Sequence, residues 1–305
     1  MAIQSLRDIP DNAFDFSSFC NDANRSIMRQ DPEDPYHLTD ESGDYPQSPV
    51  NRAVAVLHSY EERNAFYRDE IRDFLKNDPS VDDCIQIVKM DGSLLGDIPD
   101  DKRTKDVLLT AVKQCGKAVA EIDNPDEDIQ MAAVMEDGNA LKYIEHPTDD
   151  VEMAAVTGRG QAVKYLKNPT EAKYLAAVSQ NGRAISMIED PSEAVKVAAV
   201  RQSGDAIGYI KNPEENICVE SAAYWPWSIA AMKPESVTDK VFRTAIENVP
   251  SVVMVLGVDR FTPARSEQLK AIAKEYHPDI AWPDRTQRPV PEVEPNEADT
   301  QRQME

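Results

Sequence analysis

Along the middle of the chain the apolar positions do not form one continuous helical stripe. They come in short blocks that return every 22 residues. The triplet "AAV" stands at 132–134, 154–156, 176–178 and 198–200, and each block closes on a related sextet, "NALKYI", "QAVKYL", "RAISMI" or "DAIGYI". Polar stretches separate the blocks and carry their own columns. Prolines fall at Pro125, Pro147, Pro169, Pro191 and Pro213, and glycines at Gly116, Gly138, Gly160, Gly182 and Gly204. Aligned columns over five units identify a tandem repeat, so the architecture follows from one unit and its stacking.

The unit at 168–190 shows what each column does. Asn168-Pro169-Thr170-Glu171 predicts a helix start with Asn168 as N-cap, Pro169 at the first helical position and Glu171 at the third. Leu175, Ala177 and Val178 form the predicted apolar face, and the paired alanines let neighbouring helices approach closely. Gly182 is expected to stop the helix by taking the left-handed conformation. The sextet "RAISMI" then predicts a second, very short helix that buries Ala184, Ile185 and Ile188. Helices this short are marginal alone, so each unit must stack on its neighbours.

The register extends in both directions. Residues 79–98 read as a diverged first repeat, since "GSLLGDI" matches "GKAVAEI", and the next unit carries about four extra residues near Pro99-Asp100-Asp101. Downstream, Ile229 and Met232 keep the apolar positions, and Pro250 and Pro278 stand where glycine stood. The expected fold class is all-α: an α-helical solenoid of about nine 22-residue two-helix repeats over 79–282. With helix layers roughly 8–10 Å apart the stack would be on the order of 80 Å long. Residues 49–78 place Ala53, Leu57, Tyr60, Tyr67, Ile71 and Phe74 at helical spacing, as a helical cap over the open end. Residues 1–48 read as an acidic, disordered N-terminal tail and 283–305 as a C-terminal tail.

Composition narrows the function classes. A net charge of −22, densest in "DPEDPYHLTDESGDYPQSP", argues against direct nucleic-acid binding through phosphate contacts. No apolar run approaches the roughly 20 residues of a membrane span, and the first residues do not read as a signal peptide. We therefore expect a protein of the cytoplasm with no membrane attachment. Cys20, Cys84, Cys115 and Cys218 are scattered, as are His37, His58, His146 and His277, so no metal and no cofactor is expected.

The unit "Asx-Pro-x-Glu … AAV … Gly-x-Ala-Ile-x-x-Ile" resembles the short tandem helical repeats of unknown function found in bacterial and viral proteins. It is also similar to variant leucine-rich repeats, in which an α-helix alternates with a short, often 3-10, helix. The resemblance covers 79–232 well and 233–282 loosely. It implies a non-enzymatic stack, phage- or virus-encoded and then at work in the host cytoplasm, and it brings no catalytic residues.

Motifs with chemistry are few. His277-Pro278-Asp279 resembles the His-Pro-Asp loop of J-domain co-chaperones, but the long helix that follows that loop is missing, so the tripeptide reads as a turn. Phosphate-binding loops, nucleophile elbows and metalloprotease motifs are all absent from the sequence. Glu171 and Glu193 read as capping residues, and Tyr143, Tyr165 and Tyr209 as a packed ladder. One departure stands out. Trp225 and Trp227 occupy columns held elsewhere by Asp137, Arg159, Asn181 and Ser203, and by Asn139, Gln161, Arg183 and Asp205. These columns predict an exposed loop, so Tyr224, Trp225 and Trp227 form a candidate protein-binding knuckle with Arg159, Arg183 and Arg201 as its polar rim. Glu220 breaks the AAV column in the same unit and leaves open a one-residue slip, with the tryptophans filling the junction with the irregular repeat at 233–256. The function expected is a non-catalytic scaffold that binds another protein. The alternative is an acidic nucleic-acid mimic that inhibits a host defence or nucleic-acid-binding protein.

Overall fold

The computed structural model describes residue 61 and residues 64–256 and 260–282. The tails expected at 1–48 and 283–305, and the cap positions Ala53, Leu57 and Tyr60, lie outside the described residues. Among the described residues there is no strand. From Val81 onward nine α-helices follow one another among the described residues: α1 (Val81–Met90), α2 (Lys105–Gln114), α3 (Glu127–Glu136), α4 (Asp149–Gly158), α5 (Glu171–Gln180), α6 (Glu193–Gln202), α7 (Glu215–Tyr224), α8 (Asp239–Asn248) and α9 (Pro263–Tyr276). Each of the first eight leads into a 3-10 helix of five or six residues, such as Gly182–Met187 after α5. The chain divides into two compact units, one ending at Ala176 and the other beginning at Ala177, within α5. Inside each unit the helices pack on elements of their own and the adjacent repeat. The fold is an all-α repeat solenoid.

The insertion near Pro99 forms an extra 3-10 turn, Asp100–Lys102. A second extra turn, Pro234–Ser236, separates α7 from α8 and was not foreseen.

Helix starts differ from the expected pattern by two residues. The N-cap is not the Asx before proline but the residue after it: Asp126, Thr148 and Ser192 accept hydrogen bonds from the backbone N–H of Ile129, Val151 and Val195. Thr170 does the same for Lys173. The physical reason lies in the proline, which disfavours helical backbone in the residue before it. Asn124 and Asn212 instead take left-handed backbone, φ 48° and 50°, and reverse the chain ahead of Pro125 and Pro213. Glu193 does not cap its own helix either. Its carboxylate accepts from Asn216 Nδ2 one repeat on, as Glu127 accepts from Thr148 Oγ1 and Glu215 from Thr238 Oγ1.

The glycine column also works by a different mechanism. Helix α5 ends at Gln180, Asn181 is extended, and Gly182 opens the 3-10 helix without left-handed backbone. What glycine supplies is room. A Cβ on Gly182 would sit 2.5 Å from the carbonyl oxygen of Ala199, and one on Gly92, Gly116 or Gly138 2.3–2.7 Å from the matching oxygens of Ala111, Ala133 and Ala155. The approach is cemented where Gly182 N–H donates to Gln202 Oε1 at 2.6 Å and Gly92 N–H to Gln114 Oε1 at 2.6 Å.

Burial follows the columns with two corrections. Of each alanine pair only the second, such as Ala133, Ala155 and Ala199, is buried together with the following valine. Ala177 and Val178 are buried as expected in α5, but Leu175 is not, because its column lies half outward. The position that faces inward is occupied by Lys173. The 3-10 helix buries Ala184, Ile185 and Ile188 as predicted, and Ile229 and Met232 keep that role further on. No slip occurs at Glu220: Ser221 and Ala222 are buried at the positions of Ala199 and Val200.

Ahead of α1, residues 64–75 are helical and bury Ile71 and Leu75, while Tyr67 and Phe74 are half-buried. Arg68 reaches Asp91 at 2.6 Å and Ser93 at 3.1 Å, and Arg72 reaches Asp97 at 3.1 Å. These bonds join this helix to the first repeat's 3-10 helix.

Candidate partner-binding site

The end of α7 and the 3-10 helix Pro226–Ala230 carry the aromatic knuckle. Pro226 takes the place of the column's glycine and fits because a missing N–H is harmless at a helix's first residue. Behind it the buried hydroxyls of Ser221 and Ser228 are 2.8 Å apart, bonding α7 to the 3-10 helix and fixing the corner between them.

On this corner the register puts three rings outward. Tyr224 is 56% exposed, Trp225 45% and Trp227 46%, values that place them at the surface and not in the core. Trp225 is tied down on one side. Its indole Nε1 donates to the carbonyl oxygen of Arg201 at 2.9 Å, and its Cβ lies 2.7 Å from where a side chain on Gly204 would begin. Glycine at 204 is what allows the indole to lie across the preceding repeat. The rim residues are distributed unevenly. Arg201 stands 5.3 Å above the Tyr224 ring and forms an ion pair with Glu220 at 2.6 Å. Arg183 is paired with Asp205, the residue one repeat before Trp227 in its column. Arg159 belongs to the other compact unit, where it lies 3.5 Å from Asp137. The structure thus brings together Tyr224, Trp225, Trp227 and Arg201, with Arg183 in the same unit and neutralised.

The tyrosine column is not a packed ladder. Tyr143 and Tyr209 are exposed and Tyr165 is half-buried, with Lys142 and Lys164 lying 5.3 and 4.8 Å from the centres of the Tyr143 and Tyr165 rings. The column ends the 3-10 helix. Met187 occupies the same column and, with Ile188, Lys196, Tyr209 and Lys211, lines a cleft of about 460 Å³.

A second polar feature was missed. Lys173 is fully buried where the repeats carry Ile129, Val151, Val195 and Ile217, and that departure from an apolar column was the available signal. Its Nζ donates to Glu152 Oε2 at 2.6 Å, Asp149 Oδ1 at 2.6 Å and the carbonyl oxygen of Asn168 at 2.9 Å. Glu152, also fully buried, accepts the backbone N–H groups of Lys167 and Asn168 as well. Burial pushes the Glu152 carboxyl up, but the bonds from Lys173 and the two N–H groups outweigh it and hold it below its ordinary value. Burial likewise works against the Lys173 ammonium, and its carboxylate partners outweigh it and raise it. The three donors of Lys173 and both oxygens of Glu152 are engaged between α4, α5 and the Lys167–Asn168 turn that joins them, which is a structural arrangement.

Cys84 and Cys218 are buried, and burial pushes the Cys218 thiol up to about 11, far from a reactive thiolate. His277 to Ile280 form a turn closed by the Ile280 N–H on the His277 carbonyl oxygen at 3.0 Å. Among the described residues no three His, Cys, Asp or Glu side chains converge as a metal site, and no helix is long and apolar enough to cross a membrane. Comparison with family models, with curated proteins and with solved structures finds no match to this chain.

Proposed function

We propose that the protein is a non-catalytic interaction protein that holds another protein on the aromatic corner formed by Tyr224, Trp225 and Trp227. The observation that carries this reading is the exposure of three large rings on a corner whose backbone is fixed from beneath by Ser221, Ser228 and the Trp225–Arg201 hydrogen bond. Exposed Trp and Tyr on a rigid frame bury large area on binding and lose little side-chain freedom, the usual character of a hot spot. Arg201 and Arg183, each with its carboxylate, supply a polar rim.

The periodic carboxylates favour this reading over nucleic-acid mimicry. A mimic presents free carboxylates to a basic groove, whereas Glu127, Glu193 and Glu215 accept hydrogen bonds from the next repeat and Asp149 accepts from Lys173. The family resemblance, with its phage or viral setting and cytoplasmic location, belongs to the same proposal.

The test is affinity capture from the native cell with the full chain and with a Trp225→Ala/Trp227→Ala variant. We expect at least one protein retained by the parent and lost by the variant. Retention of the same proteins by both contradicts the assignment.

A further inference from the structure

Resting on that reading of the corner, we infer that its occupant is a basic segment of the partner protein, whose arginine or lysine side chains lie on the Trp225 and Trp227 rings. The first support is how this chain treats several of its other rings. Lys142 lies over Tyr143, Lys164 over Tyr165, Arg201 over Tyr224, Arg243 over Tyr276 and Arg260 over Phe261, with the cation 4.8–6.0 Å from each ring centre. Indole binds cations better than phenol or benzene rings do, because its π face is the most electron-rich. Yet among the described residues neither Trp225 nor Trp227 carries a cation of this chain. The corner's two indoles, the best cation-binding rings exposed on it, are left open, as are the weaker rings of Tyr209 and Phe66 elsewhere.

The second support is charge. The net charge of −22 attracts a basic partner over a distance and repels an acidic one. Around the corner itself the two arginines are already paired, Arg201 with Glu220 and Arg183 with Asp205. A cation brought to the tryptophans therefore meets π faces beside arginines whose charge is already balanced, on a chain whose overall charge is negative. The indole N–H of Trp225 is also already donated to Arg201, so that ring offers its face and not a donor.

The probe is an octapeptide of alternating arginine and glycine, titrated into the full chain, with glutamate–glycine and proline–glycine octapeptides alongside. Two of the three tryptophans are on the corner, and Trp282→Phe removes the third, which packs edge-on against Phe242. The remaining fluorescence then reports the corner. We expect the arginine peptide to change tryptophan fluorescence and to compete with the captured partner. Its affinity, measured by calorimetry so that variants without tryptophan can be compared, should fall at least tenfold in Trp225→Leu/Trp227→Leu and also in the milder Trp227→Leu, which touches no internal hydrogen bond among the described residues. Equal arginine-peptide binding by parent and variants would reduce the attraction to net charge and overturn the inference. So would preferential binding of the glutamate or proline peptide. If the arginine peptide fails to compete while the captured protein is still lost from the Trp225→Ala/Trp227→Ala variant, the basic occupant is wrong and the protein-binding corner stands.

Discussion

Replacing Lys173 by valine, the residue type its column prefers, should destabilise the protein by about 3–5 kcal/mol at neutral pH. A swap toward the repeat consensus ordinarily stabilises. Here it strands the Glu152 carboxylate, fully buried, with two backbone N–H groups but no counter-charge. The second substitution Glu152→Gln should recover most of the loss, because Gln130 occupies the same position one repeat earlier and its amide bonds the Pro125 carbonyl at 2.8 Å. The double variant is expected within about 1–2 kcal/mol of the parent, a large coupling by double-mutant cycle. The pH dependence has a definite sign. Glu152 is held below its ordinary value in the fold, so its contribution is present above the unfolded value near 4.5 and is lost as pH falls through the lower folded one. In Lys173→Val the stranded carboxyl gains a proton more easily and its penalty is relieved in acid. The gap between parent and variant should narrow between pH 6 and pH 3 in urea melts. A gap below about 1 kcal/mol at neutral pH, or one that widens in acid, contradicts the account.

Gly182→Ala should cost about 1–3 kcal/mol although alanine is the better helix former. Its methyl would begin 2.5 Å from the Ala199 carbonyl oxygen and 2.8 Å from Gln202 Oε1, and the first of these is backbone that cannot swing aside. Gly182→Val should cost more. The informative control is Gly182→Asn. Asparagine tolerates a left-handed helix stop, so mild behaviour would revive that explanation, whereas close approach makes it at least as costly as alanine. Gly158→Ala is the contrasting case. Nothing lies within 4 Å of the added methyl at the end of α4, and a gain of up to about 1 kcal/mol is expected. Denaturant melts of the four variants rank them directly.

Much of the fold was legible because a tandem repeat states each rule several times. Proline, AAV and glycine columns located every long helix from α3 to α6, and the sextets located their 3-10 partners. The mechanisms behind two columns were not legible. A glycine at a helix end reads the same whether it is there for its backbone or for the absence of Cβ, and only the neighbouring Ala199 oxygen decides. The Asx before proline looked like a cap, but the cap's identity depends on where the backbone first turns helical, two residues later. Lys173 escaped because one charged residue in an apolar column reads as surface unless its partner is known, and Glu152 lies a repeat away. The aromatic corner could be located by register alone. Its exposure hinged on Glu220 not causing a slip, which the burial of Ser221 and Ala222 resolves.

The most direct test of the account is to measure stability and partner affinity side by side in Trp225→Ala/Trp227→Ala. The corner assignment predicts a stability loss of no more than about 2 kcal/mol, mostly the lost hydrogen bond from Trp225 to Arg201, together with a fall in partner affinity of at least about 100-fold. A loss of roughly 4 kcal/mol or more, as for tryptophans truncated in a core, or an unchanged affinity, would contradict it.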